Sequence, residues 1–367
     1  MTRRATLFGP PAGDPAARVA GLPVLLRQLL SLQDAGVDEV HVELPADQIP
    51  VDARLTLRVL SRTAAEVDAS LTARVGLVWH RLLPKRLVAA GYTGDIERAP
   101  LEPNEFVIAA ADAASRRTAE ELLFQSLLKA TDGIISRTIN RPISLRVTRL
   151  LLDSALTPNQ MTLIAAAFGF AGIALVWWGG LPWLFPGALL FNLQSILDGC
   201  DGEISRLKYI RSRLGEWLDQ VLDDVVNVGF FAVAGWTVWQ SGSTLALWVT
   251  VIGTVLHLIY QLALYVALVT RGGGSGSITS IHWWGQKPQV HGTAAAPPAA
   301  PSLARLIKET VEMAGRRDFF TFLYLPAVLL DVPLVALGWC AIIFSVSGVA
   351  TGLQWGVGGG PEPAGSR

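Results

Sequence analysis

In the middle of the chain, acidic residues recur at fixed intervals between long apolar runs. The stretch reads Asp198-Gly199-Cys200-Asp201-Gly202-Glu203-Ile204-Ser205-Arg206, and then Gly215, Asp219 and Asp223. On a helix, the i,i+3 spacing places Asp198 and Asp201 on one face. The i,i+4 spacing does the same for Asp219 and Asp223. Because clustered carboxylates beside a membrane resist joint ionisation, the pattern predicts a divalent metal ion with oxygen ligands.

This motif resembles the signature of the CDP-alcohol phosphotransferase family, D-x2-D-G-x2-A-R-x8-G-x3-D-x3-D. Every spacing matches, and the one difference is Ser205, where the family usually has alanine. Within the family, the chain is most similar to the transferase half of di-myo-inositol-phosphate-phosphate synthase-like proteins. That likeness rests on residues 199–204, 132–137 and 140–144, and the resemblance as a whole covers residues 120–356.

The resemblance implies a metal-dependent transfer of a phosphoalcohol or phosphatidyl group to a hydroxyl acceptor, with release of CMP. The donor is expected to be CDP-diacylglycerol or a soluble CDP-alcohol, and the acceptor to be of the inositol or inositol phosphate type. Two other functions stay open: another polar-headgroup phospholipid synthase, and a catalytically silent membrane anchor for the N-terminal domain. Family members are similar in being homodimers, so a homodimer is also expected.

The resemblance also assigns residue roles. Two ions of Mg²⁺ or Mn²⁺ are expected on Asp198, Asp201, Asp219 and Asp223, and Asp223 is expected to take the acceptor's proton. Nucleotide-binding candidates are Asn159, Asp198, Gly202, Ser205, Arg206 and Gly215. Candidates for binding an acceptor phosphate are Lys208, Arg211, Arg213 and Arg146, although basic residues at a membrane surface also occur simply because they face the cytoplasm.

Composition separates the chain into a polar first third and an apolar remainder. The chain of 367 residues is 51% hydrophobic with a mean hydropathy of +0.41, and the excess lies after residue 156. A formal net charge of zero gives no indication of a nucleic-acid partner. With only Cys200 and Cys340, a disulfide scaffold and a cysteine-rich zinc site are excluded, and no signal peptide is expected.

Apolar windows predict an α-helical integral membrane domain of about six transmembrane helices, preceded by a small cytoplasmic α/β domain. The spans fall near residues 160–179, 182–200, 217–240, 243–270, 318–332 and 333–355. The last two are either separate or one unit kinked around Asp331 and Pro333.

Orientation follows from the loops. Two of them are basic, with Arg206, Lys208, Arg211 and Arg213 in the first and Arg271, Lys287, Arg305, Lys308, Arg316 and Arg317 in the second. By the positive-inside rule, both termini and the active site are expected to face the cytoplasm, in the inner (cytoplasmic) membrane.

Residues 1–130 alternate strand-like and helix-like runs and are similar at residues 21–40 to the start of sugar nucleotidyltransferase domains. The expected glycine-rich loop is replaced by Gly9-Pro10-Pro11-Ala12-Gly13-Asp14. Proline has no backbone N–H to donate to a phosphate. Residues 1–130 are therefore interpreted as a reduced, noncatalytic remnant that the transferase does not need. The alternative is a working nucleotide site that uses Asp112 as a metal ligand. Asp112 could equally be a helix cap after a strand.

Three further segments complete the predicted organisation. Residues 131–156 are expected to form an interfacial amphipathic helix, with Arg137, Arg141, Arg146 and Arg149 on one side. Within the transferase domain of 157–356, residues 271–315 have the composition of a flexible cytoplasmic loop. Residues 357–367 are expected to form a disordered tail.

Overall fold

The structure is a computed structural model that describes residues 3–61, 69–128, 132–282, 315–358 and 360–363. It divides into two compact units. The first, called here the N-terminal unit, consists of Met1–Ala130, Thr148–Ala155 and Glu203–Ile210. The second, called the membrane unit, consists of Thr131–Val147, Leu156–Gly202 and Arg211–Arg367. Two segments from the predicted membrane part therefore pack with the first 130 residues.

The N-terminal unit is built on short strands and three helices. The strands are β1 (Arg4–Phe8), β2 (Arg18–Val19), β3 (Leu22–Pro23), β4 (Glu39–Val42), β5 (Arg58–Ser61), β6 (Leu71–Arg74), β7 (Leu77–Trp79), β8 (Gly94–Asp95) and β9 (Val107–Ala109). The helices are α1 (Val24–Asp34), α2 (Leu83–Ala89) and α3 (Ala113–Gln125). The five strands β5-β4-β1-β6-β8 form one parallel sheet. The predicted small α/β region is confirmed.

One face of this sheet is covered by α1. The alternating residues Ala5 and Leu7 of β1 are 1% exposed and pack in one cluster with Leu25, Leu29 and Leu32 of α1. Apolar side chains recur at every second residue in β1 and at every third or fourth residue in α1. Each element therefore has one apolar face, and the two faces pack together in a buried α/β layer.

Asp112, the alternative metal ligand in this unit, caps a helix. The Oδ1 of Asp112 accepts a hydrogen bond from the Ser115 backbone N–H at 2.7 Å, and the Asp112 N–H donates to the Ser115 Oγ at 3.0 Å. This reciprocal pair begins α3. The helix-cap interpretation of Asp112 is confirmed.

The other α-helices follow residue 140, and most of them are apolar. They are α4 (Arg141–Leu151), α5 (Pro158–Gly179), α6 (Leu184–Lys208), α7 (Arg213–Gln240), α8 (Thr244–Arg271), α9 (Arg317–Leu329) and α10 (Pro333–Gly358). A π-helical turn, Ser136–Asn140, precedes α4 where the interfacial helix was predicted. By length and composition, four helices are candidate membrane spans: Pro158–Gly179, Arg213–Gln240, Thr244–Arg271 and Pro333–Val357.

The predicted count of six spans is therefore not confirmed. The helix α6 carries the charged residues of the acidic motif and is not among the candidate spans, and α9 has only 13 residues. The last two predicted spans correspond to separate helices, α9 and α10. Asp331 between them has a left-handed backbone with φ of 57°.

Aromatic rings join α6, α7 and α9 in the core of the membrane unit. The rings of Phe191 and Phe230 stack with centroids 4.3 Å apart, and Tyr324 meets Phe230 edge-on at 5.1 Å. Phe191 precedes Asp198 by seven residues, Phe230 follows Asp223 by seven, and Tyr324 follows Arg317 by seven. Seven residues are about two helical turns, so each ring lies below one of these charged residues on nearly the same helical face. The ring cluster thereby fixes the lateral spacing of the three helices that carry the charges.

Glycines allow close approach between helices of this same chain. A Cβ on Gly169 of α5 would lie 2.4 Å from the Val226 Cγ1 of α7. A Cβ on Gly172 would lie 2.8 Å from the Gly187 carbonyl oxygen of α6, and one on Gly253 would lie 2.9 Å from the Phe231 ring. These glycines serve packing within one chain, so they give no support to the expected homodimer.

A short strand pair follows the last helix. The helix α10 runs to Gly358, and β11 (Glu362–Pro363) pairs with β10 (Ile281–His282). The Arg271 Nη1 donates to the Pro361 carbonyl oxygen at 2.7 Å. The disordered tail at residues 357–367 stays a prediction. Most of the predicted flexible loop, residues 283–314, lies outside the described residues.

Candidate active site

Three of the predicted metal-binding carboxylates converge. Asp198 and Asp201 of α6 and Asp219 of α7 each offer an oxygen, and these oxygens all lie within 4.8 Å of one another. Among the described residues, the buried Oδ1 of Asp219 has no hydrogen-bond partner. A buried anionic oxygen without a donor is costly, and hard divalent cations prefer carboxylate oxygens. The residues therefore fit a divalent metal ion.

Asp223 lies one helical turn beyond Asp219 but has different partners. Its Oδ1 accepts a hydrogen bond from the Gln194 Nε2 at 2.9 Å, and its Oδ2 forms an ion pair with the Arg317 Nη1. Asp223 is not part of the three-residue metal cluster found among the described residues. Its predicted roles as a metal ligand and a base stay predictions.

Arg317, the first residue of α9, is the site residue that the sequence did not reveal. Its Nη1 also lies 3.3 Å from the Asp198 Oδ2, so one guanidinium contacts carboxylates of both α6 and α7. Its buried Nε and Nη2 have no hydrogen-bond partner in the described part of the chain. These donors point to an anionic ligand, because guanidinium groups bind phosphate through paired N–H groups. In the sequence, Arg317 is one of several cations in a basic loop, and no motif marks it.

Asp201 is held by the first membrane helix. The Thr162 Oγ1 of α5 donates to the Asp201 Oδ2 at 2.5 Å, and Asp201 is only 9% exposed. Thr162 lies one turn after the start of α5, where Thr157 caps the helix reciprocally with Gln160 and Pro158 occupies the first turn. This cap at the start of α5 positions the threonine that holds Asp201.

The predicted nucleotide-binding residues Asn159 and Gly215 contact one another. A Cβ on Gly215 would lie 2.5 Å from the Asn159 Oδ1, so a larger residue there would displace the Asn159 side chain. Gly202 and Arg206 are half-buried on α6, and the Ser205 hydroxyl donates to the Ile210 carbonyl oxygen at 2.6 Å. Binding of a nucleotide by these residues stays a prediction.

The candidates for binding an acceptor phosphate differ in exposure. Arg146, Arg211 and Arg213 are exposed. Lys208 is only 7% exposed, and its Nζ donates to the Ser154 carbonyl oxygen at 2.9 Å. Binding of an acceptor phosphate by any of these four residues stays a prediction.

The segment before α4 packs against the start of α9, beside Arg317. The Asp318 Oδ2 accepts from the Ser136 N–H at 2.8 Å, and a Cβ on Gly133 would lie 2.7 Å from the same oxygen. Asp132 pairs with Arg141 at 3.2 Å. Residues 133 and 136, which lie in the stretch 132–137 that carries part of the family likeness, thus contact the helix end that carries Arg317.

The sequence model of the CDP-alcohol phosphatidyltransferase family matches residues 155–347, more than half of the chain. The bifunctional IPC transferase and DIPP synthase of Thermococcus kodakarensis is 37% identical over 137 residues, which are 36% of this chain and 31% of the relative. The protein of the same name from Archaeoglobus fulgidus is 40% identical over 118 residues, 32% of this chain and 23% of the relative.

A phosphatidylinositol phosphate synthase of Corynebacterium glutamicum is 31% identical over 104 residues, 28% of this chain and 46% of the relative. The matched region thus spans less than half the length of each of these relatives. The resemblance drawn from the acidic motif is confirmed. Because the family match covers more than half of the sequence and includes all four aspartates of the motif, the chain belongs to the CDP-alcohol phosphatidyltransferase family.

Proposed function

We propose that the protein is a membrane enzyme that transfers a phosphoalcohol or phosphatidyl group from a CDP-linked donor to a hydroxyl acceptor and releases CMP. The observation that carries this proposal is the convergence of three carboxylate oxygens within 4.8 Å, beside a guanidinium that has two unpartnered donors. One set of groups fits a divalent cation and the other fits a phosphate. The diphosphate of a CDP-linked donor would contact both sets of groups while one of its phosphates passes to the acceptor and the other leaves in CMP.

Asp198, Asp201 and Asp219 would hold one or two Mg²⁺ or Mn²⁺ ions, and a bound ion would neutralise the charge of the donor diphosphate. Arg317 would bind a phosphate oxygen through its Nε and Nη2. Asp223 would receive the proton of the acceptor hydroxyl. Gln194 and Arg317 hold its two oxygens, which keeps the carboxylate in one orientation for that proton.

The acceptor is proposed to be inositol or an inositol phosphate, because one relative is named a phosphatidylinositol phosphate synthase and the acidic motif resembles the inositol-related part of the family. The exposed Arg211, Arg213 and Arg146 are the proposed ligands of an acceptor phosphate. We further propose that the active site faces the cytoplasm in the inner membrane, in contact with membrane lipid, and that the protein is a homodimer.

The experiment that tests the proposed function is CMP release by the purified full-length protein. It is supplied with CDP-diacylglycerol or a soluble CDP-alcohol, and with inositol, inositol phosphate or another polar alcohol. We expect release with one donor and an inositol-type acceptor, and loss of release in excess chelator. Release with other polar alcohols only would favour another headgroup synthase. Absence of release with every pair would contradict the proposal and favour a silent anchor.

The N-terminal unit is proposed to lack nucleotidyltransferase activity. In its first loop, the Gly9 N–H donates to the Glu43 Oε2 at 2.9 Å and the Ala12 N–H donates to the Val75 carbonyl oxygen at 2.7 Å. The two prolines between them have no N–H to donate. A Cβ on Gly13 would lie 2.2 Å from the Ala110 carbonyl oxygen, so this loop is packed against backbone. Few donors remain for a triphosphate.

We therefore expect no pyrophosphate release when the full-length protein is incubated with CTP, Mg²⁺ and a phosphorylated alcohol. The same preparation should release CMP when a ready-made CDP-linked donor is supplied, which serves as the positive control. Pyrophosphate formation that depends on both CTP and the alcohol would contradict this expectation and make the protein bifunctional.

A further inference from the structure

The segment Glu203–Ile210, called here the docking segment, belongs to the N-terminal unit although it directly follows the first two aspartates of the acidic motif. It forms the end of α6, the helix that carries Asp198 and Asp201. The next residue along the chain is Arg211, followed closely by Arg213. Whatever fixes the docking segment therefore fixes one end of a catalytic helix and the beginning of the basic loop.

The docking segment ends in a tight, cross-bonded turn. The Ser205 Oγ donates to the Ile210 carbonyl oxygen at 2.6 Å, and the Ile210 N–H donates to the Ser205 carbonyl oxygen at 3.1 Å. Tyr209 within the turn has a left-handed backbone with φ of 54°. A residue other than glycine takes this conformation at a cost and needs surrounding contacts to hold it. Alanine, the usual family residue at position 205, has no hydroxyl to make the first of these bonds.

Arg54 of the N-terminal domain contacts this turn directly. Its Nη1 donates to the Lys208 carbonyl oxygen at 2.6 Å, which is one of the last carbonyls of α6 and has no helical partner of its own. The Arg54 guanidinium is held in place by two bonds to Asp52, at 2.7 and 2.6 Å. A guanidinium oriented by a carboxylate thus caps the end of the helix.

Two more contacts complete the attachment. The Tyr209 side chain packs against a small cluster of Leu22, Leu26 and Leu30 from the N-terminal domain, and each of these leucines is no more than 5% exposed. The Lys208 Nζ donates to the Ser154 carbonyl oxygen at 2.9 Å, which ties the docking segment to the chain after α4. Polar and apolar contacts therefore hold the same three residues, 208–210.

We propose that the N-terminal α/β domain is a positioning device for the transferase: Arg54, Tyr209 and Ser205 act as positioning residues that fix the end of α6 and the start of the basic loop. The inference rests on the proposed function and assigns a task to a domain whose nucleotide loop is filled. It replaces the expectation that the transferase does not need its first 130 residues. These residues would act by orientation. If the arginines of the basic loop were misplaced, the effective concentration of the acceptor at the reacting phosphate would fall.

The first test measures the attachment itself in the full-length protein. The variant Arg54→Ala removes the bond to Lys208, and Arg58→Ala is the matched control, because Arg58 lies on β5 with a side chain that is 73% exposed. Limited trypsin digestion reports cleavage after Lys208 and Arg211. We expect cleavage there to be about tenfold faster in Arg54→Ala, as for loss of a charged hydrogen bond, and unchanged in Arg58→Ala. Cleavage after the exposed Arg98 should stay constant in both, which excludes general unfolding.

The second test measures CMP release by the same variants and by Ser205→Ala. We expect the KM for a phosphorylated acceptor to rise about tenfold in Arg54→Ala and less in Ser205→Ala, with kcat changed much less. Arg54→Lys, which keeps a donor, should recover part of the loss. Equal cleavage rates in Arg54→Ala and Arg58→Ala would overturn the proposal. Faster cleavage without a change in KM would also overturn it, because the contact would then be structural only.

These outcomes are distinguishable from failure of the proposed function. If the wild-type protein releases no CMP from any donor, the proposed function is wrong. In that case KM cannot be measured for any of the variants. The trypsin experiment does not depend on activity. Faster cleavage in Arg54→Ala would then still support the attachment of the docking segment to the N-terminal domain, and equal cleavage would overturn it.

Discussion

Replacing Asp219 with asparagine is expected to reduce CMP release by about a thousandfold or more without unfolding the protein. The Asp219 Oδ1 accepts no hydrogen bond from the described chain and lies close to oxygens of Asp198 and Asp201. Asparagine has nearly the same shape, so packing is kept while an anionic ligand is lost. Removal of one of three mutually repelling carboxylates should leave stability without metal unchanged or slightly higher.

The measurement combines CMP release with thermal unfolding in chelator and in Mg²⁺. Wild-type protein should unfold at a higher temperature in Mg²⁺, because an ion that binds only the folded state stabilises it. Asp219→Asn should lose this shift. The matched control is Asp224→Asn on the same helix, where the carboxylate accepts from the Tyr265 hydroxyl at 2.7 Å and the Gln220 Nε2 at 2.9 Å. That variant should lose stability but keep its response to metal. A normal Mg²⁺ shift in Asp219→Asn would rule out the assigned ligand.

Arg317→Gln is expected to lower CMP release about a hundredfold and to destabilise the protein when metal is absent. The Arg317 guanidinium pairs with both Asp198 and Asp223, and its removal leaves two partly buried carboxylates without a countercharge. The Arg317 side chain is 25% exposed, so we expect a loss of about 2 kcal/mol, below the value for a fully buried pair. Added Mg²⁺ should restore most of the stability, because the ion supplies positive charge to the same carboxylates.

Activity should not return with Mg²⁺ in Arg317→Gln, since the unpartnered Nε and Nη2 are the proposed phosphate donors. Arg316→Gln is the control, with the same change of charge one residue earlier, at a side chain that pairs with Asp318 at 3.5 Å. It should keep near-normal CMP release. Arg317→Lys should recover the stability in chelator but little of the activity, because an ammonium group lacks the planar fork. Full activity in Arg317→Gln would show that Arg317 has no part in the reaction.

The acidic motif was sufficient to predict the family, because every spacing of the family signature is present. Helical spacing predicted that Asp198 and Asp201 share one face, and the structure adds Asp219 to that pair. The Thr157 cap and the Asp112 cap were also predictable, since each depends on side chains within three residues of the helix start. The number of membrane spans was not predictable in this way. Hydropathy windows included α6 among the spans, although its second half carries the charges of the motif and the docking segment.

Partners that are distant along the chain became visible only in the folded structure. Arg317 reaches Asp223 across 94 residues, and Arg54 reaches Lys208 across 154. No local spacing distinguishes these arginines from their neighbours, because hydropathy and helical periodicity describe only nearby residues. Helical spacing along the chain is enough to place Asp198 with Asp201 on one face of α6, and Asp219 with Asp223 on one face of α7. Only packing of the helices through Phe191, Phe230 and Tyr324 brought those faces and Arg317 together, because lateral contact between helices depends on side-chain shape and not on spacing along one chain.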